Sequence, residues 1–296
     1  MPISLKEFHK TLTYETKTSI NKVIADIQEI TSVDELAERQ QKQYNQQAIY
    51  YFLGAFASII IYALILNFQA SNLILILFSL IIISLIIAGI NALINRAKFS
   101  RLNINNYRYV VAKRVLQMLA RDMDKEAEVE LRLSFQKIVN KEHKTATIPH
   151  PHKLTWNIDK HEHQWLKIKG QFLDKTRFIL TTTGLSKTQY GRKRTSSGKS
   201  KYKTKTKSLG LDVILNLIYP QRRYGAVKIL KNEISNAVKL PKLSYMRSLE
   251  VGENFLYMHV RIAPQVEDDQ AEIYQTITMM FLSLYQVLNL AKLLSK

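Results

Sequence analysis

Two apolar stretches decide the fold of this chain, IYYFLGAFASIIIYALILNF at residues 49–68 and LILILFSLIIISLIIAGINALI at residues 73–94. Neither stretch contains a charged residue or a histidine, and each has about the twenty residues that a helix needs to span roughly 30 Å of hydrocarbon. A helix in the core of a soluble protein rarely runs this long without one polar face. The sequence therefore predicts a transmembrane hairpin of two helices within residues 48–95.

The charges that flank the two stretches predict their orientation. Arg39 and Lys42 precede the first stretch, and Arg96 and Lys98 follow the second, whereas the connector QASN at residues 69–72 has no Lys or Arg. Lys and Arg accumulate on the cytoplasmic side of membrane proteins. We therefore expect both termini in the cytoplasm and only a tight turn on the far side of the bilayer.

Four residues in the predicted spans are candidates for close helix packing, namely Gly54, Ser58, Gly89 and Asn91. Gly54 and Ser58 have the small-xxx-small spacing that lets membrane helices approach each other. Two interpretations stay open, because such residues serve packing within one hairpin as well as contacts between copies in a homo-oligomer. The spans lack the ionisable residues that usually mark ion or proton pathways.

The segment before the spans, residues 1–47, is predicted to be a helical cytoplasmic arm. Five apolar residues recur at three- and four-residue spacing and define one helix face: Ile20, Val23, Ile24, Ile27 and Ile30. Ser32 and Glu35 have the spacing of a capping box, which predicts that a second helix begins near Val33. This helix is expected to continue into the first span.

The segment after the spans, residues 96–296, is predicted to be an α+β domain of mainly antiparallel strands with packed helices. Helical spacing occurs at residues 107–121, 226–240 and from 267 onward. Apolar and polar residues alternate at 129–135, and further strand patterns occur at 154–158, 165–173, 177–189, 201–219 and 249–262. The last helix has a core stripe of Ile273, Ile277, Phe281, Leu284 and Leu288, so we expect it to pack on the sheet rather than to form a third span.

The formal net charge of the chain is +19, and the charge is concentrated in one segment. Residues 175–211 contain eleven Lys or Arg residues and no acidic one. We predict a cationic hairpin at residues 187–207, in which alternation places Lys201, Lys203, Lys205 and Lys207 on one face and Tyr202 on the other. The candidate polyanion-binding residues are Arg192, Lys193, Arg194, Lys199, Lys201, Lys203, Lys205 and Lys207.

Four interpretations of this basic segment stay open. It is a solvated loop, a contact with the anionic lipids of the cytoplasmic leaflet, a nucleic-acid contact, or a contact with an acidic protein. Each Lys or Arg near an anionic leaflet contributes about 1 kcal/mol. Lysines that neutralise phosphates give nucleic-acid binding with little sequence preference, and only Tyr190 and Tyr202 are available for base stacking.

The sequence offers no recognisable catalytic or cofactor motif. The absence of cysteine excludes disulfides, thiolate zinc sites and a cysteine nucleophile. Gly198-Lys199-Ser200 resembles the end of a phosphate-binding loop, but position 193, where that motif needs glycine, is Lys193. The pairs His150/His152 and His161/His163 are interpreted as polar turn residues rather than metal ligands. We therefore expect no enzymatic activity, no cofactor and no metal.

Two segments carry a resemblance to known proteins, LDVILNLIYPQRR at residues 211–223 and LYQVLNLAK at residues 284–292. Both resemble parts of uncharacterised two-span membrane proteins of cyanobacteria. The resemblance implies a plasma-membrane or thylakoid location and no functional residue.

Together these features predict a membrane-anchored, non-enzymatic interaction protein whose basic domain binds an anionic surface. The alternative is an oligomeric two-span pore or channel-like effector, gated by the cytoplasmic domain, with Gly54, Ser58 and Asn91 at subunit contacts.

Overall fold

The computed structural model describes residues 11–67, 72–100, 104, 106–194, 198–230, 234 and 238–295. The fold is mixed α/β, with one antiparallel sheet and several helices. The chain divides into two compact units, one within residues 1–28 and 105–296 and the other within residues 29–104. The predicted connector between the apolar stretches lies mostly outside the described residues.

The first unit is built on an eight-stranded sheet in which every neighbouring pair is antiparallel. The strand order is β1-β2-β4-β5-β6-β8-β7, and β3 pairs with the first half of β4. The strands are β1 Thr13–Ser19, β2 Glu128–Ser134, β3 Lys144–Pro149, β4 Trp156–Gln171, β5 Arg177–Arg194, β6 Ser200–Ile218, β7 Ser244–Val251 and β8 Phe255–Ile262.

Five α-helices are described along the chain. They are α1 Ile20–Asn67, α2 Asn72–Ser100, α3 Asn106–Leu119, the short α4 Gln221–Tyr224 and α5 Gln270–Leu294. Among the described helices, three are long and apolar enough to cross a membrane, at residues 20–66, 73–100 and 270–294. In the most apolar window of the third, 44% of the residues are buried, against 6% in each of the other two. The core of the first unit therefore uses much of α5.

One face of the sheet forms the core of the first unit. Register places Leu180 opposite Leu215, and Leu215 opposite Met258, so alternate residues of β5, β6 and β8 share one apolar face. Helices α3 and α5 cover this face, and the rings of Phe178 and Phe281 lie 5.9 Å apart between β5 and α5. Alternation alone explains this arrangement, since side chains of a strand point to opposite faces in turn.

Helix α5 begins at a side-chain cap and packs on the sheet through one apolar face. Asp269 caps it, because the side-chain carboxylate accepts hydrogen bonds from the backbone N–H groups of Ala271 (2.9 Å) and Glu272 (3.3 Å). The predicted core stripe of this helix is buried in full: Ile273, Ile277, Phe281, Leu284 and Leu288. The burial confirms the predicted stripe.

In the second unit, α1 and α2 pack against each other in antiparallel fashion. The rings of Tyr44 and Phe99 stack with centroids 5.6 Å apart. Further along, the Phe52 ring lies against Gly89, so closely that a Cβ on Gly89 would be 3.0 Å from the ring. Leu85 lies beside Gly54. Residue numbers rise on one helix as they fall on the other, which is the signature of antiparallel contact.

The prediction of a wholly helical N-terminal arm is wrong for residues 13–19. These residues form β1, the edge strand that pairs with β2 from Thr13↔Ser134 to Ser19↔Glu128. The prediction of a helix start near Val33 is also wrong, since α1 is continuous from Ile20. The Ser32 hydroxyl donates to the carbonyl of Glu29 (2.8 Å) within the helix instead of capping a new one.

Three predictions about the later chain also need correction. The strand patterns at 154–158 and 165–173 belong to one strand, β4, which is interrupted only by a bulge between Gln164 and Leu166. Residues 144–149, which none of the predicted strands includes, form β3. The helix predicted over 226–240 is wrong at its two ends, since Gly225–Lys228 forms a 3₁₀ turn after the short α4 and residues 238–240 are not helical; Ile234 is helical, and residues 231–233 and 235–237 lie outside the described residues.

Candidate polyanion-binding site

The basic segment forms an antiparallel arm at one end of the sheet. The arm comprises residues 186–194 of β5 and 200–208 of β6, and its register runs from Ser186↔Ser208 to Arg194↔Ser200. Residues 195–197 at its tip lie outside the described residues. The predicted cationic hairpin is therefore extended over most of its length, and side chains alternate between its two faces.

Seven lysines share one face of the arm and of the neighbouring part of β4. We call this set the lysine face: Lys160, Lys187, Lys193, Lys201, Lys203, Lys205 and Lys207. Phe178 and Lys187 lie an odd number of residues apart in β5, so the lysine face is turned away from the side of the sheet that α5 covers. Six of the seven side chains are exposed and Lys187 is half-buried.

Like charges lie directly opposite each other on the lysine face. Lys160 pairs with Lys187 across β4 and β5, and Lys187 pairs with Lys207 across β5 and β6, which gives a row of three ammonium groups. A second direct pair joins Lys193 and Lys201. Like charges directly opposite each other destabilise a sheet. No ion pair joins any of the seven lysines to a carboxylate among the described residues.

Trp156 adds an aromatic group to the lysine face. It occupies the row Trp156–Gly191–Lys203, and its ring lies across Gly191, where a Cβ would approach the Trp156 Cγ to 2.5 Å. The indole N–H donates to the carbonyl of Arg192 (3.1 Å), and the Lys153 ammonium lies 4.2 Å from the ring centroid. Trp156 was missed in the sequence, although glycine inside a strand marks such close approaches.

The opposite face of the arm carries the tyrosines and the two arginines. Arg192 is opposite Tyr202, and Tyr190 is opposite Thr204. The rings of Tyr190 and Tyr202 have centroids 6.1 Å apart, and Tyr202 is 65% exposed. The structure therefore separates the predicted polyanion site into two faces. Lys193 lies on the lysine face, Arg192 and Arg194 lie on this second face, and Lys199 precedes β6.

Asp159 is the acidic residue on the second face. Its carboxylate accepts hydrogen bonds from Thr147 (2.7 Å) and Tyr190 (3.2 Å) and pairs with the Lys144 ammonium at 3.0 Å. Burial opposes ionisation of this carboxyl, but these hydrogen bonds and the Lys144 charge outweigh it and lower the pKa of Asp159. The negative charge on this face is thus fixed. On the lysine face, Glu162 of β4 lies two residues from Lys160, but it is exposed and forms no ion pair with the seven lysines among the described residues.

The histidine prediction is wrong for His161 and His163, which lie in β4 rather than in a turn. Both are buried. The His163 ring stacks on His143 with centroids 3.9 Å apart, and its Nε2 lies 3.1 Å from the Ser134 hydroxyl. Burial, with the nearby His143 and Arg108, lowers the pKa of His163 to about 3. Among the described residues, no group of three His, Cys, Asp or Glu is placed to hold a metal.

The helix-packing candidates occupy distinct environments in the second unit. Gly54 and Gly89 lie at the contact between α1 and α2 of the same chain. The Ser58 hydroxyl donates to the carbonyl of Gly54 (2.8 Å), so it is satisfied within its own helix. Asn91 is exposed.

Comparison with protein-family models, with curated proteins and with solved structures finds no match to this chain.

Proposed function

We propose that the chain is a membrane-anchored, non-enzymatic interaction protein. In this proposal, the apolar parts of α1 and α2 cross the bilayer as a hairpin, with both termini in the cytoplasm. The lysine face then binds the anionic headgroups of the cytoplasmic leaflet. The support for the hairpin is the absence of charge in residues 49–67 and 73–94, together with their length.

The row of Lys160, Lys187 and Lys207 is the single observation that carries the binding proposal. Three like charges in register cost folding free energy, and an external anion removes that cost. A lipid surface also suits Trp156, because Trp is enriched where protein meets the headgroup region. The chain itself keeps the basic unit near the bilayer once its apolar helices are inserted, which raises the effective concentration of anionic lipid.

The test uses the full chain, because β1 precedes the apolar helices and a fragment of residues 96–296 would lack it. The protein is placed in nanodiscs of zwitterionic lipid or of mixed zwitterionic and anionic lipid. The chain has two tryptophans, and Trp165 is fully buried, so Trp165→Phe leaves Trp156 as the reporter. We expect brominated lipid to quench Trp156 in anionic discs, and we expect salt to reverse the quenching.

Replacing Lys201, Lys203, Lys205 and Lys207 with Gln should abolish this quenching. The matched control replaces four exposed lysines elsewhere, which gives the same change in net charge: Lys125, Lys137, Lys141 and Lys175. Equal quenching in zwitterionic and anionic discs would contradict the lipid proposal. If a labelled oligonucleotide instead binds protein in zwitterionic discs and requires the same four lysines, the anion is a nucleic acid. If the anion is an acidic protein, neither lipid quenching nor oligonucleotide binding is observed.

A further inference from the structure

A pocket of about 400 Å³ lies on the first unit between α3, α5 and the turn that joins β4 to β5. Its floor is aromatic. The Phe172 ring meets Phe281 edge-on at 6.1 Å and Tyr285 edge-on at 5.4 Å. The Tyr285 hydroxyl is itself buried, so Tyr285 lines the pocket with its ring.

The charge of the pocket is opposite to that of the chain. Its charged lining residues are Asp122 and Asp174, although the formal net charge of the chain is +19. The Asp174 carboxylate is held by the backbone N–H (2.8 Å) and hydroxyl (3.0 Å) of Thr176 and by the Tyr224 hydroxyl (2.6 Å). Arg223 donates to the backbone carbonyl of Asp174 and not to that carboxylate. Asp122 is exposed at the rim.

The other side chains that line the pocket are mainly aliphatic, and two of them are exposed to solvent. Leu173 is 63% exposed and Leu282 is 54% exposed, beside Met118 and Leu119 deeper along α3. Exposed leucines at the mouth of a concave site are suited to an apolar tail. An aromatic floor with carboxylates suits a cationic head, because ring faces and carboxylates both attract an ammonium group.

We propose that this pocket binds an organic cation with an apolar tail, with the ammonium head near Phe172, Tyr285 and the two carboxylates, and the tail along Leu173 and Leu282. This site is independent of the lysine face, which selects anions. In this proposal the first unit binds anions at the lysine face and an organic cation in the pocket, and the two sites use different residues.

The experiment uses the full chain in zwitterionic nanodiscs and hexyltrimethylammonium as the probe. Saturation-transfer NMR measures its binding, and empty nanodiscs give the background. We expect saturable binding, with hexanesulfonate and hexanol each at least tenfold weaker. Equal binding of hexanol would show a cavity without charge selection and would overturn the proposal.

Two variants and one control test the location of the site. Asp122→Asn removes one carboxylate at an exposed position and should weaken hexyltrimethylammonium binding about fivefold. Leu282→Trp should block the mouth and abolish binding with both carboxylates retained. The control Glu142→Gln removes an exposed carboxylate outside the pocket and should leave binding unchanged. Binding that survives both Asp122→Asn and Leu282→Trp would place the cation elsewhere and contradict the proposal.

Discussion

The indole of Trp156 lies across Gly191, so closely that a Cβ on residue 191 would come within 2.5 Å of the Trp156 Cγ. The carbonyl of Thr155 would also lie 2.6 Å from that Cβ. Glycine is therefore required at this point of β5. The contact fixes the Trp156 ring against the arm, in the row that also contains Lys203.

Gly191→Ala should displace the indole and destabilise the arm. Inserting a methyl group into a filled site typically costs about 1–3 kcal/mol. We expect a lower midpoint of thermal unfolding and a red-shifted Trp156 emission in the Trp165→Phe background. Gly225→Ala is the control, because a Cβ there meets nothing within 4 Å. Equal effects of the two substitutions would show that the close contact does not constrain the arm.

The two faces of the arm should contribute unequally to lipid binding. Replacing Lys201 and Lys203 with Gln removes two charges from the lysine face, and replacing Arg192 and Arg194 with Gln removes two from the opposite face. At about 1 kcal/mol for each lysine, the first pair should weaken binding roughly 30-fold. The second pair should weaken it less than about threefold.

A titration of the anionic lipid fraction, followed by Trp156 quenching, measures both effects. If the two double variants weaken binding equally, net charge rather than the geometry of one face governs the interaction.

The parts of the fold that the sequence predicted well have strong local periodicity. The pattern at 249–262 gives β7 and β8 with their turn, and that at 267 onward gives α5, because alternation and helical spacing reflect one buried face. The confirmed placement of Lys201, Lys203, Lys205 and Lys207 on one face has the same origin.

What could not be predicted depends on partners distant in sequence. β1 is a strand because β2, more than a hundred residues away, supplies its hydrogen bonds. Residues 159–163 are charged and look like a turn, yet β5 pairs with all of them and β3 pairs with residues 159–161, which holds them in β4. Trp156 joins the lysine face only through its register with Gly191. Local propensity is a weak guide where tertiary pairing decides the conformation.

The buried His163 should make the stability of the protein depend on pH. Because its pKa is about 3 in the folded state and near 6.5 when unfolded, the unfolded chain binds more protons between these values. Its contribution is fully present above pH 6.5 and is lost as the pH falls toward 3. We expect the free energy of unfolding to fall by about 1.5 kcal/mol from pH 6.5 to 5 on this account.

His163→Gln should reduce this dependence, measured as the difference in thermal midpoint between pH 7 and pH 5. The control His152→Gln changes an exposed histidine and should keep the dependence of the parent chain. An unchanged pH dependence in His163→Gln would contradict the assignment of this dependence to His163.

The mass of the full chain in mild detergent should separate the anchor function from the pore alternative. Gly54 and Gly89 lie at contacts between α1 and α2 of one chain, so the small residues of the predicted spans have an intrachain use. We therefore expect light scattering, after subtraction of detergent, to give the monomer mass of 34.3 kDa.

Gly89→Leu should push Phe52 away, since a Cβ there already approaches its ring to 3.0 Å, and should lower the thermal midpoint without changing the mass. The control Asn91→Leu alters an exposed position and should affect neither quantity. A closed oligomer of defined size, lost in Asn91→Leu, would instead support a pore whose subunits meet at Asn91, because two spans can line a channel only when several copies assemble.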